Sequence, residues 1–573
     1  MRIPITNPIH RFTAWIFENW FTILCIALLV FIAFFPKIPL FDIIPGYIVR
    51  ARLEDLFLGA VLVVFGIQLI RGKVTLKTPI TKYVVAYAVI AVLSILSAIF
   101  VVKTVPLDSL HIGKMVLHFA RRLEYFSLFF LFYNAISKRR HVRMVLIGLI
   151  FVLIGVSLYG FGQKYLYWPV YSTMNREFSK GMRLVLTEHA RVPSTFGGHY
   201  DMSAFVMFLL TMVLSLIFFS KKVSEKVVLS LVFGMGFWLL ILGASRSSFL
   251  AYLLAIGVLV LLVGAYKRSI VWIITRGAIV FGFSLTVMIL FGDLSSRFSQ
   301  LGLVQQAQKA VASVVRPLTQ RPANSVEVSI DPLDKTDQLP VAVATPIATQ
   351  SASSTSSATV TPPPAPVDLP PDVYKDIPDI KTVTASENGV LVTRVIEVPR
   401  IFSDCTYIYG LSACIRFETL WPRAINGFIR NPIVGSGYST LTKEFKDQFT
   451  EAESTDNDFL RTLGEVGALG AVAFYAPIGL FIVAALRKVD AHKSLLISSI
   501  SFGIIAGSLG MLFNGLYIDV FAASKVAFLY WSVLGLGFAA LQLGEKSTDK
   551  ILAEPTVAAP RHTFKRSKKK SYV

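Results

Sequence analysis

Charge is scarce in this chain. Asp, Glu, Lys and Arg make up 16% of its 573 residues, where soluble globular domains carry about 25%. Hydrophobic residues reach 54%, and mean hydropathy is +0.63. This shortage excludes an ordinary soluble protein and implies a polytopic membrane protein. Acid is scarcer than base, with 35 acidic residues against 56 basic ones and a formal net charge of +21. The surplus does not call for nucleic acid. Lys and Arg concentrate in short loops between apolar runs and in the tail, where the positive-inside bias and anionic headgroups of membrane lipids account for them. Three cysteines and eight histidines form no metal-ligand pattern, so neither a metal nor a cofactor is expected. No repeat of fixed period occurs.

What the chain has in abundance is apolar runs of about twenty residues, the length that crosses a bilayer. They fall near 15–35, 55–70, 80–102, 115–136, 143–162, 201–220, 227–243, 247–266, 270–291, 463–486, 494–513 and 519–541. The expected fold is an all-α polytopic membrane protein with about 12 transmembrane helices. Residues 1–14 form a short basic lead, and FFPKIPLFD after the first run offers no small-residue cleavage site, so that run reads as an uncleaved signal anchor. Basic clusters at Arg71/Lys73/Lys77, Lys138/Arg139/Arg140/Arg143, Lys221/Lys222/Lys226, Lys267/Arg268 and Arg487/Lys488/Lys493 share a side with the N-terminus and with the KRSKKK tail. Both termini are therefore expected in the cytoplasm. Segments 36–54, 103–114, 163–200, 244–246, 292–462 and 514–518 then lie outside. Helices 1–9 occupy 1–291, helices 10–12 occupy 463–541, and 542–573 is a basic cytoplasmic tail.

The long outer segment, 292–462, separates helices 9 and 10. Residues 301–316 have the spacing of an amphipathic helix. Residues 321–385 are rich in Ser, Thr, Pro, Ala and Val, a composition that reads as a disordered linker. The β-prone TRVIEVPRIF follows it. Cys405 and Cys414 lie in this outer segment, nine residues apart; spacing alone leaves open a disulfide or two free thiols. Cys25, in the first run, reads as a packing residue.

Several side chains sit where apolar sequence gives them no local reason to be. Loop 163–200 carries Arg176, Lys180, Arg183 and Arg191 on the outer side, where few cations are expected. Either they pair with Glu177 and Glu188 as loop charge, or they fork onto phosphate oxygens. Arg246 in GASRSSF stands alone between two apolar runs and either snorkels or binds an anion. His199 in GGHYD is a candidate ligand or base, with Asp201 beside it as a helix-capping alternative. Asp55 is expected to pair with Arg50 or Arg52, and Glu124 with Arg121 or Arg122. The polar, Gly-punctuated stretch from Trp421 to Gly470 contains Asp456-Asn457-Asp458 at the mouth of the tenth run. Asp456 is either a base or an N-cap, with Asn457 and Asp458 as competitors. Asn457 and Arg423 join the substrate-binding candidates.

Six segments in order, RLEDLFL, RRLEYF, YSTMN with RVPSTFGGHYD, GASRSSFLAY, RNPIVGSGYST with DNDFLRTLGEVGALG, and DVFAASKVAFLYW, resemble those of the O-antigen ligase and Wzy polymerase superfamily. The resemblance covers nearly the whole chain apart from 321–385 and the tail. It implies a membrane-embedded, metal-independent glycosyltransferase of cell-surface polysaccharide assembly in the bacterial cytoplasmic (inner) membrane. The donor would be an undecaprenyl-diphosphate-linked glycan, and the acceptor a glycan, lipid or wall hydroxyl. By this likeness Arg191 and Arg246 match the arginines that hold the donor diphosphate. Where ligases of the family carry a candidate base His, this chain has Asp456.

The chemistry divides accordingly. On this likeness Arg191 and Arg246 would stabilise charge developing on the leaving lipid diphosphate, and Asp456 would take the proton of the attacking hydroxyl. Arg176, Arg183, His199, Asn457 and Arg423 are expected to contact substrate. A transporter or flippase of lipid-linked sugars and a protein O-oligosaccharyltransferase remain as alternatives.

Overall fold

The computed structural model describes residues 8–45, 47, 49–174, 176–188, 190–291, 379–387, 390–398, 403, 405–406, 411–443, 446–449, 454–489 and 494–553. Two compact units emerge: residues 1–300 with 403–573, and residues 301–402.

The first unit is a helical membrane bundle. Its helices are α1 (Pro8–Phe34), α2 (Leu53–Ile70), α3 (Thr81–Leu96, continued by a π-helical turn to Val101), α4 (Ser109–Ala135), α5 (Arg139–Tyr165), α6 (His199–Phe219), α7 (Val223–Leu242), α8 (Arg246–Lys267), α9 (Ile270–Leu290), α10 (Trp421–Arg430), α11 (Asp458–Val489), α12 (Leu495–Asn514) and α13 (Ser524–Ala553). Among the described residues, 11 helices are long and apolar enough to span a membrane. α4 is 27 residues long but carries Lys114, Arg121, Arg122 and Glu124 and is not among them. The chain is thus an all-α polytopic membrane protein. In a bilayer only such helices, with every backbone group bonded internally, can cross.

Burial ranks the helices. In α6, α12 and α13, 83%, 78% and 89% of the spanning window is enclosed by protein, against 11% for α9. The first three therefore form the centre, and α9 offers most of its surface to lipid. Lipid gives apolar helices no hydrophobic reason to associate, so close approach relies on small residues and buried hydroxyls. α12 supplies both. A Cβ at Gly507 would strike Phe208 and Thr211, and one at Gly510 would meet Ala255. Ser215 Oγ donates to the Ser499 carbonyl at 2.6 Å, Asn514 Nδ2 to Ser248 Oγ at 3.0 Å, and Tyr530 to Ser508 at 3.0 Å.

α11 is broken at Gly467 (φ 67°, ψ −174°), a conformation that only glycine adopts without strain. The break admits the loop after α10. Ser436 N bonds the Gly464 carbonyl at 2.9 Å, Gly437 N the Glu465 carbonyl at 3.2 Å, and Ala468 N the Pro432 carbonyl at 2.8 Å. Gly435 also has positive φ, and a side chain there would collide with the Glu465 backbone. The glycines of NPIVGSGY and GEVGALG thus let two backbones lie against each other.

A small antiparallel pair, β1 (Pro39–Asp42) with β2 (Arg50–Arg52), links α1 to α2. In the second unit, β3 (Asp379–Glu387) pairs antiparallel with β4 (Val390–Val398). Residues 379–385 are therefore strand, which corrects the reading of 321–385 as linker throughout. The alternation of Val, Thr and Ile there satisfies a pleated pairing. The expected amphipathic helix at 301–316 and the rest of the linker lie outside the described residues. The last helix begins at Ser524 rather than near 519, and residues 515–523 form turns.

Candidate active site

The end of α1 and the starts of α2, α6, α8, α11 and α13 are tied together at one end of the bundle. Lys37 Nζ bonds Glu54 at 2.6 Å and Ser524 at 2.5 Å. Lys525 Nζ donates to the carbonyls of Ala33, Phe35 and Thr195 at 3.1, 2.8 and 2.7 Å. Val192 N bonds the Leu242 carbonyl at 3.2 Å, holding the loop before α6 against the α7–α8 turn. A lysine and a glutamate this deeply enclosed are costly unless paired, and both are.

Two of the arginines singled out from sequence come into each other's field here. Arg191 Nη1 lies 2.5 Å from His199 Nε2 and 3.1 Å from the Tyr200 hydroxyl. Arg246, the first residue of α8, lies within electrostatic reach of Tyr200, Arg191 and Arg416. Arg416 Nη2 in turn is 2.9 Å from Asp456 Oδ2. Arg191, Arg246 and Arg416, cations from separate segments, thus share one electrostatic neighbourhood, and Arg416 pairs with Asp456. Burial raises the Asp456 carboxyl above the usual carboxylate range, against the opposing pull of Arg416 and the Ser454 hydrogen bond.

Asp456 is not the helix cap. Asn457 Oδ1 accepts from Phe459 N at 3.0 Å and Leu460 N at 2.9 Å, so Asn457 caps α11. That leaves Asp456 (φ 50°) projecting from the turn before the helix, with its hydrogen bonds going to Ser454 and Arg416. Asn457, expected from sequence to contact substrate, thus has a structural post. Asp458, the third of the group, is buried; its Oδ2 accepts from Phe521 N at 3.0 Å.

Asp519 holds this turn in place. Its carboxylate accepts from Thr455 N and Asn457 N at 3.0 Å each, from Ser454 Oγ at 3.0 Å and from Arg461 Nη1 at 2.9 Å. Arg461 also bonds Glu465 at 3.2 Å, and Glu465 Oε1 accepts from Ser439 N at 3.2 Å. The chain of contacts runs from Asp456 through Ser454, Asp519 and Arg461 to the break in α11.

This chain of contacts borders a cleft of about 250 Å³ whose wall includes Lys37, Arg52, His118, Arg121, Arg122, Asp201, Tyr438, Arg461 and Glu465. Arg121 grips Asp55 with both terminal nitrogens, at 2.6 and 2.9 Å, and bonds Glu124 at 2.8 Å. Asp55 therefore pairs with Arg121, not with Arg50 or Arg52; Arg50 goes to Asp42 at 2.9 Å. Glu124 pairs with Arg121 as expected.

The remaining sequence candidates scatter. His199 is buried against Arg191. Asp201 caps nothing, because the N-cap of α6 is Gly198. Arg183 is exposed in the loop. Arg176 opens a single turn, Arg176–Ser179, and its side chain lies outside the described residues. Arg423 on α10 donates to the Thr442 carbonyl at 3.4 Å, which ties it to the neighbouring loop. Cys405 and Cys414 form a disulfide, and Cys25 is buried in α1. Among the described residues, no group of three or more His, Cys, Asp or Glu side chains is arranged to hold a metal ion.

Sequence reasoning gave no role to Arg416, Asp519, Arg461 or Lys37. Arg461 and Asp519 stand inside DNDFLRTLGEVGALG and DVFAASKVAFLYW, whereas Lys37 and Arg416 belong to none of the six segments; their common signal is an ionisable side chain at the edge of an apolar run, which in a membrane is a functional hint by itself.

Fold and site together define a multi-pass helical membrane protein with a concentrated polar site at one end of its bundle. No protein-family model matches the chain, and no curated protein matches it.

Proposed function

We propose that the chain is a glycosyltransferase of the O-antigen ligase and Wzy polymerase type, moving a glycan from an undecaprenyl-diphosphate carrier to an acceptor hydroxyl. The observation that supports this reading is a string of cations from separate segments: Arg246 lies in the field of both Arg191 and Arg416, and Arg416 pairs with Asp456. A diphosphate leaving group needs fixed positive charge where its own charge develops, and arginine forks match phosphate oxygens. The acceptor hydroxyl is a poor nucleophile and needs a base at hand. Asp456 takes its proton while the oxygen attacks the anomeric carbon. The bond from that carbon to the phosphate oxygen breaks, and undecaprenyl diphosphate leaves. A single in-line displacement inverts the anomeric centre.

In this reading α4 is a twelfth span and the site faces outward from the bacterial cytoplasmic membrane, with both termini inside. The Cys405–Cys414 disulfide favours that orientation, since such bonds persist in oxidising compartments. Polymerase, ligase and protein O-oligosaccharyltransferase share this chemistry and differ in acceptor.

One observation favours a second reading, a flippase of lipid-linked sugars. α11 is broken at Gly467 beside buried Glu465 and Arg461, and interrupted helices mark transport sites. Donor binding and turnover separate the two. Arg191→Lys and Arg246→Lys keep the charge but lose the fork. For a transferase, each should weaken undecaprenyl diphosphate binding by about tenfold or more, a loss of roughly 1.4 kcal/mol, and slow glycan transfer with it. Native binding in both variants removes the diphosphate clamp.

A further inference from the structure

The cleft has a different character from the cluster of Arg191, Arg246 and Arg416, none of which lines it. Its cations are already matched within the protein: Lys37 and Arg52 by Glu54 at 2.6 and 3.9 Å, Arg121 by Asp55 and Glu124, and Arg461 by Glu465 and Asp519. Arg122 gives a hydrogen bond to the Phe521 carbonyl at 2.6 Å. The cleft is therefore no sink for a second anion.

One of its polar groups is not matched. Among the described residues, no hydrogen bond reaches the Asp201 carboxylate, although Asp201 lines the cleft. Charges that act on it through space include Lys37, Arg52, Lys525 and Asp519. A carboxylate is acceptor-only, with four lone-pair sites to fill, and half-buried Asp201 keeps them open to the cleft. A ligand rich in hydroxyls satisfies it, since two neighbouring O–H groups can donate to its two oxygens. Tyr125 and Tyr438 on the cleft wall add aromatic surface for the C–H faces of such a ligand. The volume of about 250 Å³ falls just below the ~300 Å³ at the small end of ligand pockets, so the cleft takes one terminal sugar of a larger molecule.

We infer that this cleft is the acceptor subsite, that it binds a neutral sugar, and that Asp201 is the residue that grips its hydroxyls. The inference rests on the glycosyltransferase reading for the word acceptor, but the sugar site stands or falls by its own measurement. Asp201 follows His199 and Tyr200, the two partners of Arg191. A sugar held by Asp201 therefore lies next to the segment that contacts the arginine cluster, as a transfer between the two sites requires.

The test uses the full chain in lipid nanodiscs and two kinds of probe. Methyl glycosides of glucose, galactose, N-acetylglucosamine and rhamnose are compared with methyl glucuronide and glucose 1-phosphate by saturation-transfer NMR. Undecaprenyl diphosphate binding is measured alongside. At least one neutral glycoside should bind, and more tightly than the anionic compounds. Asp201→Asn should weaken it tenfold or more while diphosphate binding stays native, which also shows that the variant is folded. Asp201→Glu, which keeps the carboxylate, should retain part of the affinity. Absence of neutral glycoside binding, tighter binding of the anionic compounds, or unchanged affinity in Asp201→Asn overturns the inference. Failure of the native chain to bind undecaprenyl diphosphate, with glycoside binding intact, defeats the donor reading and leaves the sugar site standing.

Discussion

Arg416 and Asp456 meet at 2.9 Å, joining the segment just after the Cys405–Cys414 disulfide to the turn before α11. Arg416 is fixed from its other side by the Ser412 carbonyl and hydroxyl, each at 2.7 Å. The pair sets the protonation of the proposed base. Burial raises the Asp456 carboxyl, and Arg416 partly opposes it. A base works only when ionised, so transfer should fall as pH drops through a value above the ~3.9 of a free Asp. Removing Arg416 removes a lowering influence. In Arg416→Gln the acidic limb of the pH–rate profile should therefore move to higher pH, read from kcat/KM at saturating donor. A limb that stays in place, or moves down, means another group controls it.

Capping and catalysis divide between adjacent residues, which makes them separable by stability. Asn457→Ala removes the acceptor for two helix N–H groups and should cost about 1 kcal/mol. Asp456→Asn keeps the shape and gives up only a partly exposed ion pair, worth under ~1 kcal/mol. Thermal unfolding in detergent should rank Asn457→Ala as the less stable of the two. The reverse order would assign Asp456 a structural role.

The break in α11 gives a third expectation. Gly467→Ala demands a backbone conformation costing about 1–3 kcal/mol, and its Cβ would collide with the Ile433 carbonyl. On the same helix, Gly479 has nothing within 4 Å of an added Cβ. Gly467→Ala should lower the unfolding temperature sharply or prevent monodisperse purification, while Gly479→Ala should behave as the native chain. Equal tolerance would show that the break is dispensable.

The helices were legible because a twenty-residue apolar run carries its own signal, whatever packs beside it. Ends were less so. The apolar run puts the last helix from about 519, but the Asp519 side chain is engaged by two backbone N–H groups and Arg461 and lies ahead of the helix. The β3–β4 hairpin did have a signal, Asn388-Gly389 between two β-prone runs, and the Pro- and Ser-rich stretch before it hid that. Within the site, Arg246 stood out as a lone cation between apolar runs, Arg191 as a cation on the outer side, and Asp456 as an acid at the mouth of an apolar run. Their neighbours did not. Lys37 meets Ser524 across 487 positions and Arg122 meets Phe521 across 399, and no local spacing encodes such a contact. Asp456 and Asn457 show the opposite limit: adjacent polar residues, either able to cap, which only the backbone turn distinguishes.

The central claim is that Asp456 is the base for a transfer from a lipid diphosphate, and a reconstituted assay tests it most directly. The native chain and Asp456→Asn, each in lipid nanodiscs, are given an undecaprenyl-diphosphate-linked oligosaccharide with the acceptor fraction of the host envelope. Glycan product and released undecaprenyl diphosphate are both quantified. The native chain should form product with inverted anomeric configuration and release one carrier per transfer, while Asp456→Asn binds donor with native affinity and forms none. Product from Asp456→Asn at a near-native rate, or retained configuration in the native product, would contradict the account.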